Sequence, residues 1–188
     1  MSRRGLTRGA VIDAAGDLAD TAGFDGLTLA RLADRLGVRS PSLYNHVHGL
    51  GDVRVGVAAS ALRDVHGAVQ SAVVGRSGEE AVLAAARAYR RYAIDHPGRY
   101  AAIQRPPAED SEQAEPAAAL VELFARLLEP WHLSEDDAIH AIRALRSAIH
   151  GFVELERIGG FGLDLPTDES YDRLVRMLVA GLGPPPGR

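Results

Sequence analysis

The sequence contains no cysteine and no lysine. Without cysteine the chain has no disulfide, no thiolate metal ligand and no cysteine nucleophile. Aromatic residues make up only 5% of its 188 residues, and no apolar run approaches the roughly 20 residues that a membrane-spanning helix needs. The N-terminus also lacks the continuous apolar segment of a signal peptide. Alanine and leucine dominate and β-branched runs are scarce, so we expect a helical, soluble, cytoplasmic protein.

Charge is distributed unevenly along the chain. The formal net charge is −4, yet residues 1–48 carry six arginines against five aspartates, while the remainder carries fifteen arginines against twenty acidic residues. The local charge of a surface, more than the sum over the chain, determines whether that surface accepts a polyanion. The distribution therefore permits nucleic-acid binding by the N-terminal part.

Two helices with recognisable ends are predicted before residue 38. Thr7 and Thr28 are suitable N-caps, and Gly23 and Gly37 suit the position that follows a helix end. Each helix has one apolar face at helical spacing. The inward positions are Ala10, Val11, Ala14, Ala15, Leu18 and Ala22 in the first helix, and Leu29, Leu32, Ala33 and Leu36 in the second.

A third, short helix is predicted from Pro41 to about Val47, because proline is preorganised for the first helical position. Together the three segments form a helix-turn-helix unit. Leu43 and Val47 lie four residues apart and should pack inward. The accessible surface then carries side chains that suit base edges and phosphates. These are Arg39, Ser40, Ser42, Tyr44, Asn45 and His46.

The run LADRLGVRSPSLYNHV resembles the N-terminal domain of TetR-family transcriptional regulators, and the likeness covers roughly the first 60 residues. It implies that Thr28 and Tyr44 hold phosphates. It places Arg39, Ser42 and Asn45 nearer the bases, with Ser40 and His46 also at contact positions.

One position departs from that family pattern. Leu50 stands where members usually carry a lysine that opens the fourth helix. The resemblance therefore implies the loss of one phosphate contact, for which Arg3, Arg4 or His48 are the candidate replacements.

The rest of the chain predicts a helical bundle. Helices are expected at about 52–74, 79–96, 117–131, 135–158 and 168–182, with a Pro-rich acidic loop at 104–116. The segment 146–182, with its His-Gly-Phe and Gly-Gly-Phe, resembles the C-terminal part of one TetR subgroup. We predict an all-α fold with a helix-turn-helix domain at 1–50 and a ligand-binding and dimerisation domain at 51–188. The helix from about 51 to 74 connects the two.

Such a bundle can enclose a small molecule in an apolar pocket with a few polar groups. The candidate pocket residues are Tyr89, Tyr92, His96, Phe124, Trp131, Arg143 and His150, each of which also fits an ordinary core position. Small and apolar residues at 143–152 and 174–182 suit a subunit interface, with plain core packing as the competing interpretation.

Catalytic patterns are weak. Asp136 and His140 lie four residues apart, but a pair of Glu-x-x-His motifs for a di-metal site does not occur. His132, His140 and His150 lack a zinc-site spacing, and neither a phosphate loop nor a nucleophile elbow is present. We therefore predict no catalytic residue, no metal and no cofactor.

The sequence thus predicts a dimeric repressor that binds a palindromic DNA operator and is released by an unidentified small molecule. The alternative is a helical ligand-binding or metal-dependent bundle protein that no longer binds DNA.

Overall fold

The computed structural model describes residues 6–107 and 111–183, and every regular element in those ranges is helical. The helices are α1 Arg8–Ala22, α2 Leu29–Leu36, α3 Ser40–Leu43, α4 Leu50–Val73, α5 Gly78–Asp95, α6 Pro97–Ile103, α7 Ala114–Leu128, α8 Glu135–Arg157 and α9 Thr167–Ala180. A short 3₁₀ helix, Glu129–Trp131, follows α7. The predicted all-α fold class is confirmed. None of the described helices is both long enough and apolar enough to cross a membrane.

The chain packs into two compact units. The first is drawn from Met1–Asp64 and Asp95–Ala117, and the second from Val65–Ile94 and Ala118–Arg188. Helices α4 and α7 each run from one unit into the other. The first unit therefore contains α1, α2, α3 and α6, and the second contains α8 and α9 with most of α5.

Apolar faces of α1, α2, α3 and α4 form the core of the first unit. Leu32 and Leu43 are fully buried, Val47 is 1% exposed, and all three belong to one cluster with Val11 and Val57. Leu29 and Leu36 pack against this cluster while half-buried. The predicted inward face of α1 is correct except at Ala10, which is exposed because the buried stripe passes through Ile12 and Ala19 instead.

Helix α3 is shorter than predicted. It spans Ser40–Leu43, with Arg39 at the N-cap position and no side-chain cap. The backbone continues as tight turns, because the amides of Tyr44, Asn45 and His46 donate to carbonyls three residues earlier at 2.9–3.4 Å. This 3₁₀-like ending carries the chain to Val47, which is buried as predicted.

Helix α6 was not predicted as a separate element. The helix predicted at 79–96 ends at Asp95, and Pro97 is then the first residue of α6. The N-cap residue His96 makes no capping bond. The cap comes from α1, where the Asp20 carboxylate accepts the backbone N–H groups of Gly98 and Arg99, both at 2.9 Å.

The α1–α6 contact is a close backbone approach. A Cβ on Gly98 would lie 2.0 Å from the Ala19 carbonyl carbon, a distance that no side chain tolerates. The guanidinium of Arg99 lies over Gly16 and bonds both Asp17 and Asp20. Glycine at residues 16 and 98 therefore lets α6 pack directly on α1.

A buried arginine organises the second unit. The Arg90 guanidinium bonds Glu156 at 2.5 and 2.9 Å and Asp168 at 2.7 Å. It also lies over the rings of Phe152 and Tyr171, at 5.5 and 4.9 Å from their centroids. Helices α5, α8 and α9 thus share one cation, whose burial is offset by two carboxylates and two aromatic faces.

Candidate nucleic-acid interface

The predicted contact residues lie on one short segment after α2. The Tyr44 side chain is 61% exposed, and Arg39 and Asn45 are also exposed. Ser40, Ser42 and His46 are half-buried. The predicted residues Arg3 and Arg4 lie outside the described residues.

The packing of this segment determines which side chains stay accessible. Leu43 and Val47 are held in the core, on either side of Tyr44, Asn45 and His46. Because the two apolar anchors are four residues apart, the three residues between them are presented in a fixed order. The Tyr44 hydroxyl and the Asn45 amide are then exposed next to one another, with the His46 imidazole half-buried beside them, and each group can bond a base edge or a phosphate.

Thr28 begins α2 and caps it. Its Oγ1 accepts the Arg31 N–H at 3.3 Å, and its own side chain is exposed. The other N–H groups of this first turn point out of the helix with the positive end of its dipole, which is a favourable place for a phosphate. The Thr28 position therefore suits the phosphate-binding role implied by the resemblance.

The arginines around the segment differ in availability. Arg31 donates to the Gly26 carbonyl at 2.9 Å, and Arg35 pairs with Asp17 at 3.4 Å. Arg39 makes no ion pair with any residue in the described ranges. Its guanidinium is exposed and is thus available for a base edge or a phosphate.

The turn into α4 is held by a carboxylate and an arginine. Asp52 accepts the backbone N–H of His48 at 2.9 Å and the Arg8 guanidinium at 2.8 Å. The hydrogen bond from Arg8 lowers the pKa of Asp52, and the carboxylates around Arg8 raise the pKa of its guanidinium. Leu50, in place of the expected lysine, is half-buried against the core of the first unit.

Sequence reasoning missed Arg8. It is 44 residues from Asp52 and 104 from Glu112, its other partner, so no local pattern pointed to this turn. The available signal was a basic residue at the start of an amphipathic helix, which is too common to be specific.

The predicted pocket residues are dispersed. The rings of Tyr89 and Phe124 meet edge to face, with centroids 6.2 Å apart. The Trp131 indole N–H donates to the Gly183 carbonyl at 3.1 Å, and Arg143 is exposed. His96 belongs to the first unit, where its Nδ1 lies 3.3 Å from Asp20. Tyr92 is buried and His150 half-buried in the second unit.

A cavity of about 370 Å³ lies elsewhere in the second unit. It is lined by Arg76, Ser77, Gly78, Ala81, Arg126, Leu127, Glu129 and Pro130, and none of the predicted pocket residues is among them. Within residues 6–107 and 111–183, no three histidine or carboxylate side chains come together in a way that would hold a metal ion.

Comparison with known proteins identifies the family. The N-terminal family described as "Bacterial regulatory proteins, tetR family" matches residues 11–46, which include α2 and α3. The family described as "Tetracyclin repressor-like, C-terminal domain" matches residues 82–178. The chain belongs to the TetR family.

Relatives of this TetR-family chain are similar over nearly its whole length. It is 37% identical over 182 residues to the uncharacterized HTH-type transcriptional regulator YobS of Bacillus subtilis, covering 96% of this chain and 94% of YobS. The protein is accordingly a DNA-binding, helix-turn-helix transcriptional regulator.

Two solved structures share the TetR fold. A protein of unknown function from Rhodococcus sp. RHA1 superimposes with a TM-score of 0.82 at 22% identity, covering 97% of this chain and 98% of that one. A variant of TetR from Acinetobacter baumannii AYE, in complex with minocycline, gives a TM-score of 0.70 at 24% identity and covers 94% and 96%. At these identities the likeness shows the fold alone.

Proposed function

We propose that this TetR-family regulator is a cytoplasmic repressor that binds a palindromic operator as a dimer and is released by a small molecule. One observation carries the DNA-binding part of the proposal. In the reading segment, Arg39–His46, the side chains of Arg39, Tyr44 and Asn45 are exposed while Leu43, with Val47 just beyond the segment, is held in the core. A helix terminus selected only for stability would carry alanine or glutamate at such positions.

Contact roles follow from side-chain chemistry. We assign Thr28 and Tyr44 to phosphates, whose contacts position a protein on the duplex without distinguishing bases. We assign Arg39, Ser42 and Asn45 to the edges of bases in the major groove, with Ser40 and His46 as further contacts to the DNA. The functional boundary near residue 50 remains part of the proposal, because the reading segment, Arg39–His46, and the turn after it both come before α4, which begins at Leu50.

A dimer is proposed because one short reading segment contacts too few base pairs to select a site in a genome. Two surfaces of the second unit support this. Helix α8 exposes Gly151 and Leu155, the latter at 47%, and the C-cap residue Ile158 is 69% exposed. Helix α9 exposes Met177 at 65%. Small and apolar residues of this kind suit close packing of helices from a second copy.

The small-molecule part of the proposal concerns the second unit. Tyr89 and Phe124 offer aromatic surface, and Tyr92, Trp131 and His150 are further pocket candidates on the same unit. A protein of the same fold binds minocycline, which supports a ligand of mixed apolar and polar character. We propose no catalytic role, in keeping with relatives that are transcriptional regulators.

The DNA-binding proposal is tested by selection. Purified protein is incubated with sheared DNA from its own genome, and the bound fragments are sequenced. The expected motif is a palindrome. The distance between the centres of its half-sites should be about one helical turn of DNA or a multiple of it. The matched control is the Asn45→Ala variant, which should still fold and should lose the base preference at one position of each half-site. Recovery of unrelated fragments by the wild-type protein would contradict the proposal.

The release part needs a separate measurement. Apolar metabolites and antibiotics are screened for compounds that raise the melting temperature, and each hit is added to the protein–operator complex. Effector and operator must then weaken each other by the same factor, roughly 5- to 150-fold in typical linkages. If every tight binder leaves the operator affinity unchanged, the protein is not a ligand-released repressor.

A further inference from the structure

One arginine of the first unit, Arg8, pairs with two carboxylates that are far apart in the sequence, those of Asp52 and Glu112. Nη2 of Arg8 lies 2.8 Å from Asp52 and 2.6 Å from Glu112, and Nη1 lies 3.3 Å from the other oxygen of Glu112. Asp52 belongs to the first turn of α4, whereas Glu112 lies in the segment that precedes α7. Arg63 contacts the same Glu112 only at 3.9 Å.

Arg8 reaches the turn that follows the reading segment. The Asp52 carboxylate that binds Arg8 also accepts the backbone N–H of His48, two residues after His46. Two residues of chain span at most about 7 Å. The major groove is about 12 Å wide, so a turn this close to base-contacting residues lies near the phosphates along the groove wall. Leu50 supplies no charge at this turn.

Glu112 determines the net charge around Arg8. Arg8, Arg63, Asp52 and Glu112 together carry no net charge, so the group does not attract a phosphate. Without the Glu112 charge, the group carries a net charge of +1 and half of the Arg8 guanidinium is free to donate. The Arg8 and Glu112 side chains are 40% and 38% exposed, so the ion pair between them is a weak, solvent-screened one.

We propose that Arg8 binds a phosphate of the operator DNA. In the free protein Glu112 pairs with Arg8 instead, and the operator phosphate replaces Glu112 when DNA binds. This inference rests on the proposed binding of operator DNA by residues 39–46. The exchange needs only a rotation of the Glu112 side chain, because Asp52 keeps Arg8 in place. Gln113, the next residue, is buried and donates to the Pro106 carbonyl at 3.4 Å, so the backbone of the segment can stay where it is.

The exchange predicts a sequence-independent gain when Glu112 is neutralised. Glu112→Gln should tighten binding to the operator and to a scrambled duplex equally, by roughly threefold per half-site, which is the scale of one exposed ion pair. Glu115→Gln is the matched control, since Glu115 is exposed three residues later and makes no ion pair within the described ranges. It changes the net charge equally and should leave both affinities unchanged.

Arg8 is tested by the dependence of affinity on salt. Arg8→Met should lower the slope of log K against log salt by about 0.9 per half-site, as expected for one lost phosphate contact. Adding Glu112→Gln to Arg8→Met should then produce no further change. Melting temperatures are recorded for every variant. If Arg8→Met does not fold, the comparison of Glu112→Gln with Glu115→Gln decides alone.

Three results would overturn the inference: Glu112→Gln binding as the wild type does, Glu115→Gln tightening binding equally, or a Glu112→Gln effect that persists in the Arg8→Met background. A different failure is possible: the wild-type protein could bind every selected duplex no more tightly than the scrambled version of that duplex. That result would remove the proposed function itself, so the two failures are distinguishable.

Discussion

The Asp20 carboxylate caps α6, with its Oδ1 accepting the N–H of Gly98, 78 residues later in the chain, at 2.9 Å. The same oxygen accepts the Arg99 N–H, so one side chain of α1 satisfies two of the unpaired donors at the start of α6. Because α1 also supports the reading segment, α6 is part of the DNA-binding unit by packing, although it lies far from that unit in sequence.

The first prediction concerns this close packing. Gly98→Ala would place a methyl group 2.0 Å from the Ala19 backbone, so α6 must move away from α1. We expect a loss of about 1–3 kcal/mol in the free energy of unfolding, the usual range for overpacking. Chemical denaturation measures it. The control is Gly67→Ala in α4, where no atom lies within 4 Å of the added Cβ; it should stabilise the protein by up to about 1 kcal/mol. A neutral Gly98→Ala would contradict the described α1–α6 contact.

The second prediction concerns pH. The folded-state pKa of Asp52 is lowered, chiefly by the hydrogen bond from Arg8. Its stabilising contribution is therefore complete above the ordinary pKa of 3.8 and disappears as the pH falls through the lowered folded-state pKa. The melting temperature of the wild type should exceed that of Asp52→Asn at neutral pH, and the difference should close under acid. Asp64→Asn, an exposed residue on the same helix, should show no difference. A gap that does not depend on pH would refute the ionic role of Asp52.

The third prediction separates base contacts from phosphate contacts. Asn45→Ala should relax preference at one position per half-site by roughly 1–3 kcal/mol. Tyr44→Phe removes one hydroxyl from a side chain that is 61% exposed, so it should weaken binding to all sequences alike and leave the preference intact. Competition binding against a library of single-base operator variants distinguishes the two. Identical profiles for both variants would contradict the assigned roles.

The fourth prediction concerns the dimer. Met177→Glu adds a charge to an α9 side chain that is 65% exposed, so the single chain should fold while the dimer dissociates. Val74→Glu is the matched control, an apolar side chain 73% exposed beyond the end of α4. Light scattering at micromolar concentration should give a monomer for Met177→Glu and a dimer for Val74→Glu and the wild type. A monomeric wild type would refute the proposed assembly.

Much of the reading segment was predictable because its signals are local. The caps at Thr7 and Thr28 and the inward Leu43 and Val47 follow from spacing and residue type, and each is present in the structure. The sequence predicts too long an α3. The tight turns at residues 44–46 differ from an α-helix only because their hydrogen bonds join residues three apart rather than four apart.

Other features depended on distant contacts that no local pattern contains. The separate helix α6, which begins at Pro97, was not predictable because Asp20 of α1, which is distant in the sequence, stabilises its first turn. Likewise, Ile149 lies in the segment predicted as an interface, yet it is 2% exposed within a single chain. A charge at Ile149 would therefore test the core of the second unit rather than the dimer. Amphipathic spacing identifies a buried face but does not say which neighbour covers it.

The most direct test of the account is hydroxyl-radical footprinting of the wild-type protein on the genomic fragment it selects. Reading of the operator by Arg39–His46 predicts two protected segments of equal strength on one face of the duplex, centred about 34–36 Å apart or a multiple of that spacing. Both should be weaker with Asn45→Ala at the same protein concentration. Uniform protection along the fragment, or an unchanged footprint with Asn45→Ala, would contradict the claim that the segment from Arg39 to His46 reads operator DNA.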